Sequence, residues 1–338
     1  MIFTDLTESD RRDIIDYVSG KTGFLRNVVE KDWWVTTVLR AIFSLPYAPA
    51  TFFKGGTNLS KCWGLIQRMS EDIDIGISRE YLGFGGDLSK NQISDKLRRA
   101  SCAFVRNVMK NDVRKALVGQ GIAPESISVE VRETSISTVD PETIYVAYHS
   151  LYEGNGYVLP QVKIEVSGRS MSEPVSAVTV RSYISENLPR LTFSDEPVMV
   201  NAVMPQRTFL EKIFLLHEEF AKPDSEIRIE RMSRHLYDVY RMMGTNVAEE
   251  ALADDELYAS VITHRRKFIG LRGFDYDTLH KATLRIVPES DIRAKWAADY
   301  KNTVASMVMG SAPTFDEIIE ALETLNARIN RLPDSGLL

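Results

Sequence analysis

Two aspartates on a short alternating segment are the residues of this sequence best placed to do chemistry. Asp72 and Asp74 lie in Asp-Ile-Asp-Ile-Gly-Ile, a period of two that predicts a strand with both carboxylates on one face. Neighbouring carboxylates repel each other unless a cation lies between them. A magnesium ion (or manganese) carried by a nucleoside triphosphate (NTP) would supply that charge, and carboxylate oxygens are its preferred protein ligands. Taken alone, Asp-x-Asp is more often part of an ordinary acidic surface strand.

A double glycine before the aspartates makes the chemical interpretation more specific. Residues 51–54 predict a strand, Gly55 and Gly56 end it, and a helix is expected at 57–66. Glycines let backbone amides approach a phosphate closely, and Thr57 adds a hydroxyl donor where a helix N-terminus would favour an anion. This strand–turn–helix–strand unit predicts phosphate handling with a divalent metal.

Further polar side chains flank this unit. Lys61 follows Thr57 by one helical turn, and it could reach a phosphate or pair with Glu71 or Asp72. Asp32 could tie the second helix to the site, whereas Trp33 and Trp34 are expected in the core rather than against a base. The residues predicted to bind the nucleotide are Gly55, Gly56, Thr57, Lys61, Arg68 and Ser70.

Composition restricts the class of protein. The chain has 338 residues, 44% hydrophobic and 26% charged, which is typical of a globular protein with two domains or one elaborated domain. Its net charge of −6 excludes a wholly basic nucleic-acid coat but leaves room for a local basic groove. With no bilayer-length apolar run, no signal peptide and two cysteines without metal-ligand spacing, a cytoplasmic protein with no membrane association is expected.

The hydrophobic pattern changes near residue 203. Before it, helices are predicted at 8–19, 27–43, 57–66 and 92–118, and strands at 51–54, 72–77, 126–132, 143–149, 157–166, 177–181 and 197–202. After it, a helix begins at Pro205, and further helices are predicted at 230–243, 246–253, 256–268, 276–284, 289–308 and 314–331. The fold class is therefore α+β. Residues 1–203 should form a mixed central sheet with flanking and N-terminal helices, and residues 204–338 a helical C-terminal domain.

Four motifs between residues 30 and 240 resemble those of a known family, the AbiEii/AbiGii toxins. They are Phe53-Lys-Gly-Gly-Thr-Asn-Leu-Ser-Lys61 with Arg68-Met-Ser-Glu-Asp-Ile-Asp74, Glu30-Lys-Asp-Trp-Trp-Val-Thr, Arg207-Thr-Phe-Leu-Glu-Lys212, and Ser233-Arg-His-Leu-Tyr-Asp238. Members are nucleotidyltransferase-like toxins of bacterial toxin–antitoxin and phage-defence systems. The resemblance implies a DNA polymerase β-like nucleotidyltransferase domain. Thr57 stands where the superfamily usually has serine, so a hydroxyl is retained.

The resemblance also implies roles for individual residues. Asp72 and Asp74 would hold the metal, Lys212 would contact the triphosphate, and Asp238 would be a second essential polar residue, with both of the latter coming from the helical domain. Lys212 could instead be a solvated helix lysine. Asp238 could form an i, i+4 ion pair with Arg234, or could orient Arg234 or Lys212.

Glu165 is the candidate third carboxylate. Polymerase β-type sites usually carry one on a neighbouring strand, where it acts on the attacking hydroxyl and shares the metal. In Lys163-Ile-Glu165-Val, Lys163 and Glu165 fall on one face of a predicted strand and the apolar residues on the other. Glutamate replaces the commoner aspartate here, so an exposed strand glutamate is the competing interpretation.

The function that these residues favour is metal-dependent transfer of a nucleoside monophosphate from an NTP to an acceptor hydroxyl. The resemblance implies a toxin restrained by a cognate antitoxin encoded nearby, and the tRNA acceptor end as substrate, which would make this tRNA modification. A basic stretch at 96–115 could contact RNA, although such runs are more often solvated helix faces. The alternatives are a small-molecule nucleotidyltransferase of the antibiotic-modifying type and a catalytically silent NTP-binding module.

Overall fold

The computed structural model describes residues 1–70, 72–132, 142–152, 159–193, 195–308 and 310–333. Glu71 and the first two residues of the strand predicted at 157–166 lie outside them. The chain forms two compact units. The first comprises Met1–Gly64 and Met69–Val203, and the second comprises Leu65–Arg68 and Met204–Leu338. Residues 65–68 thus leave the first unit for the second and return.

A seven-stranded mixed sheet is the centre of the first unit. Its strands are β1 Thr51–Lys54, β2 Asp72–Ile77, β3 Ile127–Val131, β4 Glu142–Tyr148, β5 Gln161–Ser167, β6 Val175–Val180 and β7 Val198–Val203. Their order is β3-β4-β5-β2-β1-β7-β6. β2 runs antiparallel to β1 and parallel to β5, and β1 runs parallel to β7. The predicted α+β class with a mixed central sheet is confirmed.

Alternation along β2 separates its two faces. Ile73, Ile75 and Ile77 are at most 1% exposed and belong to the hydrophobic core of the unit. Asp72 and Asp74 are half-buried on the opposite face, since successive strand residues point to opposite sides. The apolar side therefore determines which side carries the acidic residues.

Six α-helices accompany this sheet in the described part of the first unit. They are α1 Glu8–Thr22, α2 Arg26–Phe43, α3 Gly55–Lys61, α4 Arg98–Phe104, α5 Lys110–Gly119 and α6 Tyr183–Asn187. α4 and α5 belong to one helical run from 92 to 119, with π-helical turns at Gln92–Leu97 and Val105–Met109. α2 packs on the sheet with Trp33 and Trp34 only 1% and 4% exposed, so the core prediction for both is confirmed.

Two elements of this unit differ from the sequence-based prediction. The helix predicted at 57–66 begins at Gly55 and ends at Lys61, because Gly64 takes a φ of +62°, a left-handed conformation that does not continue a helix. The short helix α6 was not predicted. It begins at Tyr183, directly after its N-cap Ser182, whose hydroxyl accepts a hydrogen bond from the Ser185 amide.

The second unit is helical. Its α-helices are α7 Pro205–Phe220, α8 Ser233–Met243, α9 Asn246–Ala253, α10 Asp255–His264, α11 Arg293–Met307 and α12 Phe315–Ile329. α7 packs against α8, α9 and α10, and α8 packs against α11 and α12. None of the described helices of the protein combines the length and apolarity that crossing a bilayer requires.

The prediction of a helix at 276–284 is wrong. This segment forms two short 3₁₀ turns, Tyr276–Leu279 and Lys281–Thr283, with extended backbone at His280 between them. Side chains take the carbonyls that an α-helix would use. The Tyr258 hydroxyl donates to the Leu279 carbonyl at 2.8 Å, and the Thr283 hydroxyl donates to the carbonyl of residue 278 at 2.8 Å.

Gly76 provides a test of how tightly β2 fits its neighbour. A Cβ at this position would lie 1.9 Å from the Phe52 ring, and Phe52 is itself buried. We expect Gly76→Ala to lower the free energy of unfolding by about 1–3 kcal/mol, because the ring must shift in a packed environment. Gly20→Ala in α1, with nothing within 4 Å of its Cβ position, is the control and should stabilise by up to about 1 kcal/mol. Urea unfolding measures both, and equal stability of the two variants would contradict the packing described.

Candidate active site

Strand register brings the acidic residues of the first unit together. Asp72 pairs with Lys163, and Asp74 with Glu165, across the parallel strands β2 and β5. Partners in register point to the same side, so these four residues form one surface, here called the carboxylate face. The side chains of Asp72, Lys163 and Glu165 are 26%, 32% and 27% exposed, so solvent reaches them only in part.

Lys163 is the cation of the carboxylate face. Its Nζ forms a hydrogen-bonded ion pair with Glu165 and lies 3.9 Å from Asp72 Oδ2. Burial opposes its charged form, but the hydrogen bond that it donates to Glu165 and the charges of Asp72 and Glu165 together raise the pKa of Lys163. Lys163 is therefore protonated at neutral pH and offsets part of the acidic charge.

The glycine turn and Asp74 depend on each other. Gly55 takes a φ of +79°, and a Cβ on it would lie 1.9 Å from Asp74 Oδ2. A side chain at position 55 would therefore be strained by its backbone conformation and would also collide with the carboxylate. Gly56 follows half-buried at the start of α3. Glycine at 55 therefore allows the Asp74 carboxylate to lie directly against the backbone of the turn.

Thr57 and Asn58 fasten α3 to the sheet. The Thr57 hydroxyl donates to the backbone carbonyl of Asp72, and Thr57 is 1% exposed. The Asn58 amide donates to the Val203 carbonyl at 2.8 Å. The hydroxyl expected to meet a phosphate thus holds the first residue of β2 in place, and its contact with a nucleotide stays a prediction.

Lys61 pairs with α2 rather than with Asp72. Its ammonium forms an ion pair with Asp32, its side chain is 4% exposed, and its Nζ lies 4.7 Å from the Tyr183 ring centroid. Asp32 also accepts a hydrogen bond from the Tyr183 amide at 2.6 Å. A phosphate could meet Lys61 only in competition with Asp32. Binding of a nucleotide by Lys61 stays a prediction.

The Glu30-Lys-Asp motif has structural partners. Glu30 accepts hydrogen bonds from the Ser150 hydroxyl at 2.5 Å and the Leu151 amide at 2.8 Å, and burial raises its pKa. The Lys31 ammonium donates to the Leu159 carbonyl at 2.9 Å. Together with Asp32, these side chains attach one turn of α2 to separate segments of the first unit, so the motif positions the sheet and α3.

A second ionic group lies within the second unit. Arg68 donates to both carboxylate oxygens of Asp238, at 2.6 and 2.7 Å, and the Lys212 ammonium lies 2.8 Å from Asp238 Oδ2. Lys212 is carried by α7 and Asp238 by α8, while Arg68 has a β-bridge to Val308. All three side chains are less than 10% exposed. We call these three residues the Arg68 cluster.

The Arg68 cluster holds more positive than negative charge. Burial would raise the pKa of Asp238, but Arg68 and Lys212 outweigh it and lower that pKa. Burial and the charge of Arg68 lower the pKa of Lys212, and burial with Lys212 lowers the pKa of His235, whose Nδ1 is 3.3 Å from the ammonium. One carboxylate thus faces two cations, an arrangement that attracts a further anion.

The structure bears on the alternatives for Lys212 and Asp238. Lys212 is 8% exposed and is not a solvated lysine. Asp238 pairs with Arg68, 170 positions earlier in the chain, and with Lys212. The catalytic roles of both residues stay predictions. Sequence analysis singled out Arg68 and Asp238 separately but had no signal that joined them. Ser70 is half-buried in the segment that leads into β2.

The donor set suits a magnesium ion that arrives with a nucleotide. Among the described residues, no group of three or more histidine, cysteine, aspartate and glutamate side chains is arranged to hold a metal by itself. Magnesium is usually bound by one or two carboxylates together with substrate phosphates. Asp72 and Asp74, two carboxylates on one face of β2 beside the glycine turn, meet that requirement, while Glu165 is paired with Lys163.

Comparison with known proteins identifies the family. The family model for the nucleotidyl transferase AbiEii toxin of type IV toxin–antitoxin systems matches residues 37–321. The match spans most of the chain, so the protein belongs to the AbiEii family. It is a nucleotidyltransferase toxin of a type IV toxin–antitoxin system, and the family resemblance inferred from its motifs is confirmed.

Two solved structures are similar to this chain. One is MenT4, a nucleotidyltransferase toxin from Mycobacterium tuberculosis H37Rv, with 14% identity and a TM-score of 0.48 over 95% of this chain and 99% of MenT4. The other is JHP933 from Helicobacter pylori, with 13% identity and a TM-score of 0.43 over 90% of this chain and 92% of JHP933. A search of curated proteins finds no match.

The Arg68 cluster makes a prediction about stability. Asp238→Ala leaves two buried cations without their shared carboxylate, so we expect it to lower the free energy of unfolding of the second unit by about 3–5 kcal/mol. Glu249→Ala removes the exposed ion pair with Arg328 and should change stability by less than about 1 kcal/mol. Chemical unfolding monitored by tryptophan fluorescence measures both. A loss in Asp238→Ala no larger than in the control would show that the cluster does not depend on this carboxylate.

Proposed function

We propose that this protein transfers a nucleoside monophosphate from an NTP to a hydroxyl at the acceptor end of tRNA. The observation that carries the proposal is the register of β2 and β5, in which Asp72 and Asp74 share a face with Glu165 beside the glycine turn. Family membership supplies the reaction class, and the carboxylate face supplies the groups that this class of reaction needs.

In this proposal Asp72 and Asp74 hold the metal. Magnesium or manganese, when bound, supplies positive charge to the phosphoryl oxygens and the leaving pyrophosphate. Glu165 neighbours Asp74 in register, so its carboxylate is placed to accept the proton of the attacking hydroxyl. The backbone of Gly55 and Gly56 is the surface assigned to the phosphates, because glycines let backbone amides approach a phosphate closely at the start of α3.

We further assign the triphosphate to the Arg68 cluster, which makes the helical unit a contributor to catalysis. Its two cations exceed its one carboxylate in charge, and a lysine beside a phosphate stabilises charge that moves to the leaving group.

The RNA acceptor is assigned to the helical run at 92–119. Arg99 and Arg106 pair with Asp95 and Glu142, at 2.8 and 2.6 Å. Lys96, Arg114 and Lys115 are exposed. Exposed cations are the groups that bind nucleic-acid phosphates independently of sequence.

Loss of one metal-binding carboxylate tests the reaction. Incubation with each of the four NTPs labelled at the α-phosphate, magnesium and total tRNA should label tRNA. Asp72→Asn should reduce the rate by about a thousandfold, since metal stabilisation of the transition state supplies several kcal/mol. Glu130→Gln, an exposed carboxylate on the outer strand β3, is the matched control and should retain the wild-type rate.

Other results of this assay would lead to different conclusions. Label on an aminoglycoside but not on tRNA would replace the RNA acceptor with a small molecule. Binding of NTP measured by calorimetry, without transfer to any acceptor, would indicate a silent nucleotide-binding module. Equal transfer by wild type and Asp72→Asn would remove the assigned role of this carboxylate.

The exposed cations yield a separate prediction. We expect the triple variant Lys96→Ala, Arg114→Ala, Lys115→Ala to bind tRNA more weakly and to reduce the slope of log affinity against log salt by about 2–3. Filter binding at several salt concentrations measures this slope. Lys21→Ala, an exposed lysine in α1, should leave it unchanged. An unchanged slope in the triple variant would place the RNA elsewhere.

Membership of a type IV system implies an antitoxin partner. We propose that a neighbouring gene encodes it, that the toxin acts in phage defence, and that it works in the cytoplasm. Cys62 and Cys102 are not in a disulfide, which suits a reducing compartment, and burial raises the pKa of Cys62 to about 12, which makes it unreactive. Expression of the protein should arrest growth, co-expression of the neighbouring gene should relieve the arrest, and Asp72→Asn should be harmless alone.

A further inference from the structure

Lys163 has no role in the proposed reaction, although it lies on the carboxylate face. Its ammonium pairs with Glu165 on its own strand and with Asp72 on the neighbouring strand. Its hydrogen-bonded partner is the carboxylate assigned to the attacking hydroxyl. Its other neighbour is a carboxylate assigned to the metal. One ammonium therefore engages two of the three carboxylates of the face.

We propose that Lys163 is a built-in counterion that keeps the nucleotide-free site from binding a divalent metal tightly, so that metal enters with the NTP. This inference rests on the proposed function, since it takes Asp72 and Asp74 as the metal-binding pair.

Charge balance supports this inference. Asp72, Asp74 and Glu165 carry three negative charges on one half-buried face, and Lys163 returns one positive charge to it. A divalent ion that enters alone meets the repulsion of an ammonium 3.9 Å from one of its own ligands. An NTP brings additional negative charge, to which the ammonium can then turn. The face is therefore better suited to a metal–nucleotide complex than to a bare ion.

The side chain is able to make that change. Lys163 is 32% exposed, so part of it already reaches solvent, and lysine has four rotatable bonds and a compact charge. Contrast Lys61 on α3, which is 4% exposed and held by Asp32. Of these two lysines near the glycine turn and β2, Lys163 is the one that can leave its carboxylates without exposing a buried ion pair.

The test measures manganese binding to the purified, nucleotide-free protein by electron paramagnetic resonance, with no turnover required. Lys163→Met should bind manganese at least about tenfold more tightly than wild type, because the competing cation is gone. Lys163→Arg keeps the charge and should resemble wild type. Lys21→Met, at an exposed lysine in α1, controls for the change in net charge and should also resemble wild type.

Two further measurements make the outcome decisive. Lys163→Gln provides a second neutral variant, and circular dichroism verifies that each protein is folded. Affinity in the folded neutral variants equal to or weaker than wild type, or undetectable binding, overturns the inference. Such a result would leave the tRNA-labelling assay with Asp72→Asn untouched. The converse result is also informative. Tight manganese binding by Lys163→Met, together with no nucleotide transfer by the wild-type protein, would contradict the proposed function and not the role of Lys163.

Discussion

Burial of three isoleucines holds acidic side chains side by side. Each buried isoleucine of β2 contributes roughly 1.5–3 kcal/mol, and all three point away from Asp72 and Asp74. Carboxylates two residues apart on a strand are separated by about 6.6 Å, and at an effective dielectric constant of about 20 they repel each other by about 2.5 kcal/mol. Burial of the three isoleucines, about 4.5–9 kcal/mol together, outweighs this repulsion. A slip of one residue would bury the aspartates, so the register that serves the core also maintains the carboxylate face.

Opposite charges are paired in unequal numbers at two places in the molecule. On the carboxylate face, one lysine is shared by carboxylates that outnumber it. In the Arg68 cluster the ratio is reversed, with one carboxylate facing an arginine and a lysine. The carboxylate face belongs to the first unit and the Arg68 cluster to the second, so each unit carries its own ionic group with the opposite excess of charge.

Sequence patterns predicted those parts of the fold that depend on short-range periodicity. The alternation in β2, the strand β1 with its glycine turn, and the apolar stripe of α2 all correspond to elements of the structure. The helix prediction for residues 276–284 failed because the hydroxyl of Tyr258 donates to a carbonyl that a helix would use. That competition comes from a different helix, and no window around residue 280 contains it.

The candidate site also depends on contacts between residues that are far apart in the sequence. The aspartates of β2 could be placed on one face from their spacing alone, and Lys163 with Glu165 likewise, but their register against each other required the sheet. Asp238 had a nearby arginine four positions earlier, and local spacing favoured that partner. Its bidentate partner, Arg68, lies 170 positions away. Charge pairing across such a distance leaves no periodic trace in a single sequence.

Residues 65–68 belong to the second unit but are translated long before the rest of it. Arg68 is translated well before Asp238, and at about 5–20 residues per second the interval is roughly 10–30 s. Throughout it, the four-residue segment between α3 and β2 has no bidentate carboxylate partner to dock against. A ribosome that stalls before α8 would therefore release a chain that carries the entire carboxylate face but no assembled Arg68 cluster. For a toxin, that delay makes completion of the Arg68 cluster depend on synthesis of at least the first 238 of the 338 residues.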